Sequence, residues 1–242
     1  MKFYFVEVFS FLNCDINFLK LPMGISNELL AFLKDLKANN NKEWFTANKG
    51  RYETAKAEFE TFITELFARI AVYDPSIGHL KAKECIFRIY RDVRFSKDKS
   101  PYKTHFGAHI SIAAKKSEIH TRSGYYIHLE PGESMLAGGA YLPQGDWLKG
   151  IRQEIDYNGA DLVKILENPD FKKTFGEIEG EKLARMPKGY PEDHQYIELL
   201  KMKSFLATHK LKDSELTKVD FTETAAKVFE TLKPLGDFLN RS

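Results

Sequence analysis

Apolar residues recur at helical spacing from Ser26 onward. Ser26 is a good N-cap, and Leu29, Leu30, Phe32, Leu33 and Leu36 form a stripe that runs out at Asn39-Asn40-Asn41. A longer periodic stretch, from about Lys42 to Tyr73, carries Trp44, Phe45, Tyr52, Phe59, Phe62, Ile63, Leu66, Phe67 and Ile70 before Asp74-Pro75 stops it. The middle of the chain then alternates with period 2. Cys85–Tyr90, Phe106–Ala113, Gly124–Glu130 and Ser134–Leu142 read as strands bounded by Gly-, Pro- and Lys-rich turns, with Pro131-Gly132 as the hairpin turn between the last two. Helical periodicity returns over Gly145–Tyr157 and Ala160–Glu167, and a mixed stretch follows to Pro191. A short helix near Asp193–Lys201, a strand at Phe205–Leu211 and a final helix from about Thr222 to Asn240 complete the chain. Helices, a block of hairpin-connected strands, then helices again predict one α+β domain, with a mainly antiparallel sheet of about four to six strands packed against flanking helices. No linker, low-complexity tract or internal repeat divides residues 23–242.

Residues 1–22 stand apart as an extension. Phe3, Phe5, Val6, Val8, Phe9, Phe11 and Leu12 make the most apolar run of the chain. Glu7 interrupts it, and Phe11-Leu12-Asn13 before Cys14 is a poor cleavage site, so the run does not read as a signal peptide. It is also too short to span a bilayer. Two readings stay open: an extra strand, or a start assigned too early, with Met23 as the initiator just ahead of the helix start.

The composition is that of an ordinary folded chain. A 43% apolar and 29% charged content over 242 residues excludes disordered and collagen-like classes and leaves ample length for a core. Two cysteines, Cys14 and Cys85, cannot build a disulfide framework, which points to a reducing, cytoplasmic setting. Cys85, on the apolar side of its strand, reads as inert core. The 36 basic and 34 acidic side chains leave a net charge of only +2, which is no mandate for nucleic-acid binding. That total conceals a segregation. Residues 81–122 hold 11 Lys/Arg against four acids, a net +7, while the remaining 25 basic and 30 acidic side chains net −5.

The densest part of the basic block runs from Arg88 to Lys103. Ser100-Pro101 and the crowded charge suit a loop, and its like charges repel unless anions or carboxylates lie between them. Asp92 and Asp98 sit inside the cluster, each placed to fix a guanidinium or ammonium. The loop reads either as an anion site that presents Arg forks and Lys ammonium groups, or as a solvated run paired with acidic helices. The interleaved Tyr90, Phe95 and Tyr102 indicate that it is packed down. The pattern Arg88-x-x-Arg91-Asp92-x-Arg94-Phe95-x-x-Asp98-Lys99-x-x-Tyr102 resembles the signature of the DUF2461 family. So do Gly124-Tyr125-Tyr126, Pro131-Gly132, Gly138-Gly139 and Arg185-x-Pro187-x-Gly189-Tyr190. The resemblance spans about residues 25–240 and omits the first 22. It implies a bacterial protein of about this length, with relatives in fungi. It implies no chemistry, because the family is defined without a function; it directs attention to the Arg/Asp/Lys loop and assigns no catalytic residue.

Other constellations are weaker. His105-x-x-x-His109 has the spacing of a helical zinc pair, but no Glu follows the first His, and the pair falls on a predicted strand, where four residues span about 13 Å. It is rejected as a chelating pair, and no metal ligand is assigned. His128 and Glu130 alternate with Ile127 and Leu129, so they project from one face of a strand beside Tyr126. With His109 on the same face of a neighbouring strand, these groups would form a general acid/base pair or a metal site. The simpler reading is the solvated face of an antiparallel sheet. The His-x-Glu of zinc deaminases needs a Pro-Cys-x-x-Cys partner that the chain lacks. Gly132-Glu133-Ser134-Met135-Leu136 approaches a nucleophile elbow without its closing glycine, and no Walker A or Rossmann fingerprint is present. Gly138-Gly139 within a strand signals a bulge or a close backbone approach. A second basic spot, Lys182–Lys188 with Arg185, closes over the first loop if the fold brings the two together.

The leading expectation is a protein that binds an anionic, phosphate- or carboxylate-bearing small molecule, with or without turnover. Arg91, Arg94, Lys99 and Lys103 are the expected anion contacts, oriented by Asp92 and Asp98, with Tyr102 in the same loop. Arg88 and Tyr126 line the adjacent sheet face with His128 and Glu130, the two catalytic candidates. One alternative is a nucleic-acid module using the same loop for phosphates and Tyr90, Phe95 or Tyr102 for stacking. The other is a protein-interaction domain in which the arginines are structural. No membrane partner is expected, and the sequence specifies neither a cofactor nor an oligomeric state.

Overall fold

The computed structural model describes residues 23–112 and 119–241, so the readings made for residues 1–22 and for Ala113 fall outside the described residues. Ser26 caps α1 (Asn27–Ala38) by accepting the Leu29 amide at 3.1 Å, and its own amide and hydroxyl donate to the Glu58 carboxylate. Glu58 lies on α3 (Lys49–Ile70), so the cap also ties the two helices together, and all five residues of the first apolar stripe are buried.

The single helix expected from Lys42 to Tyr73 is divided into α2 (Lys42–Ala47) and α3. Asn41 caps α2 through the Trp44 amide. At Asn48 the backbone leaves the helical basin (φ −105°, ψ 17°) while the side-chain amide donates to Trp44 O. Asparagine competes with helix through such local bonds, which apolar periodicity does not register.

The strand expected at Cys85–Tyr90 does not form. Ala82–Cys85 is one helical turn, α4, and the residues after it make two isolated antiparallel bridges, Ile86 with Ala108 and Tyr90 with Tyr102. The Phe87 amide donates to Gly107 O, and the Lys103 amide donates to Ile89 O. Between these contacts the outgoing arm has one residue, Arg88, and the returning arm has three, Thr104, His105 and Phe106. A regular ladder cannot absorb two extra residues on one side, so the returning arm bulges at Thr104-His105. Burial departs from alternation too, since the neighbours Cys85 and Ile86 are both buried and Phe87 is only half-buried, because Cys85 ends a helical turn instead of starting a strand. Pairing is what alternation alone does not specify.

β1 (Phe106–Ile110), β2 (Gly124–Leu129), β3 (Met135–Ala140) and β4 (Phe205–Lys210) form one antiparallel sheet in that order, which with the helices makes the α+β domain. The register pairs Ala108 with Ile127 and Ile127 with Leu136, so apolar residues share one face. α9 (Phe221–Leu239) crosses that face at β3 and packs on α3. The Gly138-Gly139 pair is a close approach. A Cβ on Gly138 would stand 2.3 Å from Leu232 Cδ2 on α9, and Gly139 has φ +114° with Phe205 O only 2.0 Å from its Cβ position.

The two helices expected at Gly145–Tyr157 and Ala160–Glu167 are both present, running on as α5 (Gly145–Leu166) and divided at Asn158, where the backbone leaves the helical basin (φ −126°, ψ 26°). α6 (Pro169–Phe175) and α8 (Asp213–Leu216) are too short for periodicity to predict, and the helix expected near Asp193–Lys201 is reduced to α7 (Ile197–Leu200). Glu179 and Lys182 bridge to Leu206 and Met202. The second basic spot therefore follows the β4 edge of the sheet, while the first basic loop joins the opposite edge at β1, so the two do not close on each other. No described helix is long and apolar enough to cross a membrane.

Candidate functional site

The bulge before β1 carries His105 onto the polar face of the sheet. On that face β2 presents Tyr126 and His128, and Glu130 follows the strand end. The cross-strand partner of His128 is Gly107, and the Tyr126 hydroxyl lies 3.1 Å from the place a Gly107 Cβ would take. The missing side chain leaves room for the phenol to reach His128 Nδ1 at 3.0 Å, and His128 Nε2 lies 3.1 Å from Glu130 Oε2. The other oxygen, Glu130 Oε1, accepts from Lys37 Nζ at the end of α1 (3.0 Å) and from Thr104 Oγ1 in the bulge (2.8 Å). Ser134 fixes the turn after β2, its hydroxyl donating to Glu130 O and accepting the Glu130 amide. His105 completes the cluster. Its ring is 4.1 Å from that of His128 and its Nδ1 is 3.9 Å from Glu130 Oε2, yet no hydrogen bond from the described residues reaches either ring nitrogen.

The electrostatics follow from this enclosure. Glu130 is 7% exposed. Burial pushes its pKa up, but the hydrogen bonds from Lys37, Thr104 and His128 outweigh burial and hold the carboxyl below its ordinary value. The Glu130 carboxylate in turn raises Lys37. Burial, reinforced by the neighbouring His128 and opposed by Glu130, lowers His105 to about 4. Burial and then the charge of Glu130 push Tyr126 up to about 12, so the phenol keeps its proton. The solvated-face reading of Tyr126, His128 and Glu130 is thereby corrected: Phe87, in edge contact with Tyr126, and Thr104 and His105 pack onto that face.

Beside this cluster lies a cleft of about 370 Å³, within the range of small-ligand sites. Lys37 reaches it from α1 and Asn40 from the connection after that helix, Arg91, Asp98 and Ser100 from the basic loop, and Tyr102 through His105 from the returning arm. Asn40 positions that arm by donating to Tyr102 O at 2.9 Å and accepting the Tyr102 amide at 3.1 Å, and the Tyr102 ring stacks on Phe45 at 3.9 Å. A larger depression of about 470 Å³ among α5, α6 and α9 gathers Lys164, Asp170 and Glu230 without any imidazole, and it offers less chemistry.

The residues expected at the site divide into two groups. Arg91, Asp98, Tyr102 and Lys103 line the cleft, and Tyr126, His128 and Glu130 adjoin it through Lys37, Thr104 and His105. The Arg91 guanidinium is held by the Asp98 carboxylate and Ser100 O. Asp98, which also accepts the Ser100 amide and hydroxyl, is held well below the usual carboxylate range by Ser100 first and Arg91 next. Lys103 Nζ lies 5.1 Å from the centre of the Phe87 ring. Asp92 and Arg94 instead pair with each other on the outside of the loop, where the Arg94 side chain is 76% exposed and its hydrogen bonds lower Asp92 to about 2. Lys99 donates to Val93 O and closes the loop on itself, and Arg88 is exposed. His109 sits opposite Tyr126, one rung away from His128, and it is His105 that joins the cluster.

Sequence reasoning misses Lys37, Asn40, Thr104 and His105 as site residues. His105 shares the odd-numbered alternation of Gly107 and His109, which is a usable signal. Lys37 and Asn40 have none, because they arrive from the end of α1 and the turn after it, more than 50 residues away in the chain. A family model described as a conserved hypothetical protein (DUF2461) matches residues 28–238. No curated protein and no solved structure matches the chain.

Proposed function

The chain belongs to the DUF2461 family, whose description names no chemistry, and we propose from the site itself that the protein binds a small phosphate- or carboxylate-bearing molecule in the cleft between α1 and the basic loop. One observation carries the reading. Three cations from three separate segments, Lys37, Arg91 and Lys103, converge on a concave surface whose one lining carboxylate among the described residues is Asp98. Asp98 and Ser100 orient the Arg91 guanidinium, which has five N–H donors and so keeps some for an anion. The Asn40 side-chain amide, with one N–H left after its bond to Tyr102 O, adds a neutral donor. The His128–Glu130 pair stands next to the cleft, where it is able to accept or donate a proton.

The test is calorimetric titration of the full chain with inorganic phosphate, pyrophosphate and citrate. Saturable binding of at least one is expected. Arg91→Ala and Lys103→Ala are each expected to weaken it about 10-fold or more, the loss of one charge-assisted hydrogen bond, whereas Arg94→Ala, outside the cleft, leaves it unchanged. No heat at millimolar anion, or an equal loss in Arg94→Ala, overturns the reading.

A second reading is favoured by Phe95. This side chain is 96% exposed at the loop tip, and the Arg94 guanidinium carbon lies 5.8 Å from its ring centre. A solvent-facing aromatic among cations suits base stacking on a single strand. Tyr102, being buried, does not serve that role. Salt separates the two readings, because nucleic-acid affinity falls steeply as counterions are released.

A further inference from the structure

We propose that His105, His128 and Glu130 bind a single first-row divalent transition-metal ion. Each side chain offers one ligand atom, and the three atoms lie within 4.8 Å of one another. His128 Nε2 is 3.1 Å from Glu130 Oε2, and His105 Nδ1 is 3.9 Å from the same oxygen. Bonds of about 2.0–2.2 Å around a tetrahedral ion put neighbouring ligand atoms roughly 3.3–3.6 Å apart. A small turn of the His105 ring therefore completes the set.

Two observations favour an ion over a self-contained hydrogen-bond network. The first is His105 itself. Its side chain is only 25% exposed and is packed against a second imidazole, yet neither of its nitrogens has a hydrogen-bond partner among the described residues. Its nitrogens are therefore uncommitted within the protein, and an ion can take one of them without breaking a hydrogen bond. The second is that the outer supports of a metal site are already in place. Tyr126 holds His128 at Nδ1, while Lys37 and Thr104 hold Glu130 at Oε1, which leaves Nε2 and Oε2 facing each other at 3.1 Å across the proton that an ion would replace. When His128 Nε2 takes the ion, the ring proton moves to Nδ1 and the Tyr126 hydroxyl turns from donor to acceptor, so the contact is kept. Lys37 does not stand alone against the ion's charge, because its ammonium also lies 3.7 Å from Glu133.

Two imidazole nitrogens and one carboxylate oxygen select zinc-type ions over magnesium and calcium, which take oxygen ligands. Three protein ligands leave a coordination position open for water or for an anionic oxygen, as in catalytic rather than structural sites. The ion site stands independently of the anion reading, and it is measured with metal alone.

The experiment uses the full chain stripped with chelator and then titrated with Zn²⁺ by calorimetry, with metal content read by mass spectrometry and Co²⁺ loading read by visible absorption. One ion per chain is expected. His105→Ala is expected to weaken binding at least about 100-fold and to abolish the tetrahedral Co²⁺ spectrum. Tyr126→Phe is expected to weaken it about 10- to 100-fold. His79→Ala, at an exposed histidine, is the control and binds as the unaltered chain does. Circular dichroism of His105→Ala checks that the fold is intact, and if it is not, His105→Gln takes its place. Absence of stoichiometric binding, or equal affinity in the His105 and His79 variants, overturns the proposal. Either outcome leaves the phosphate titration of the cleft to stand or fall by itself.

Discussion

Glu130 shows how far one residue depends on its surroundings. As a buried carboxylate it is tolerable only because Lys37, Thr104 and His128 all bond to it. Glu130→Ala strands those three partners and is expected to lower the unfolding free energy by about 1–3 kcal/mol. Glu130→Gln, which keeps the shape and one acceptor, loses less, and urea denaturation ranks the two. His109 gives a pH dependence. Burial, then the nearby His120, lowers it to about 4 from an ordinary value of about 6.5. Below about pH 6.5 the unfolded chain takes up a proton that the folded chain refuses until about pH 4, so this contribution is complete above 6.5 and is lost as pH falls through that window. The loss approaches about 3 kcal/mol. Urea midpoints measured from pH 7 down to 4.5 should decline less in His109→Gln than in the unaltered chain. At this scale the sequence was partly legible: parity places Tyr126 and His128 on one face, while the choice of His105 over His109 rests on a register that no single residue reveals.

Among the elements, the Thr104-His105 bulge decides the site. It exists because the arms joined at Phe87–Gly107 and Ile89–Lys103 differ by two residues between those contacts. Alternation identifies the buried positions Phe106, Ala108 and Ile110 on the returning side, fails at Ile86 and Phe87 on the outgoing one, and carries no information about unequal arm lengths. The expected strand at Cys85–Tyr90 fails for that reason. Gly107 matters next. In Gly107→Ala the new Cβ stands 3.1 Å from the Tyr126 hydroxyl, so the phenol must give by a few tenths of an ångström at its contact with His128. The expected readout is a changed His128 imidazole signal in NMR, with little change in global stability. Where α9 crosses β3 the tolerance is smaller. A Cβ on Gly138 would meet Leu232 at 2.3 Å and Gly124 O at 2.5 Å, and the backbone oxygen cannot rotate away. Gly138→Ala is therefore expected to destabilise by about 1–3 kcal/mol or more, measured by thermal unfolding.

On the scale of the molecule, the near-neutral net charge divides into a basic block and an acidic remainder, and folding divides the block again. Asp92 and Arg94 neutralise each other on the outside, while Arg91 and Lys103 turn inward to meet Lys37. A cleft built this way is expected to lose less than about 10-fold in phosphate affinity between 50 and 200 mM salt, where a protein making many phosphate contacts on DNA loses far more. The sequence by itself determined the helix start at Ser26, the stop ahead of Asp74-Pro75, the four strands of the sheet in chain order, the final helix, the α+β class and the position of the basic loop. Those depend on caps, prolines and periodicity, which act over a few residues. Only the tertiary structure decided that α1 and the turn after it deliver Lys37 and Asn40 to the basic loop, and that His105 meets His128 and Glu130. Such meetings depend on strand register and on how helices cross the sheet, and those are set by the packing of the whole core.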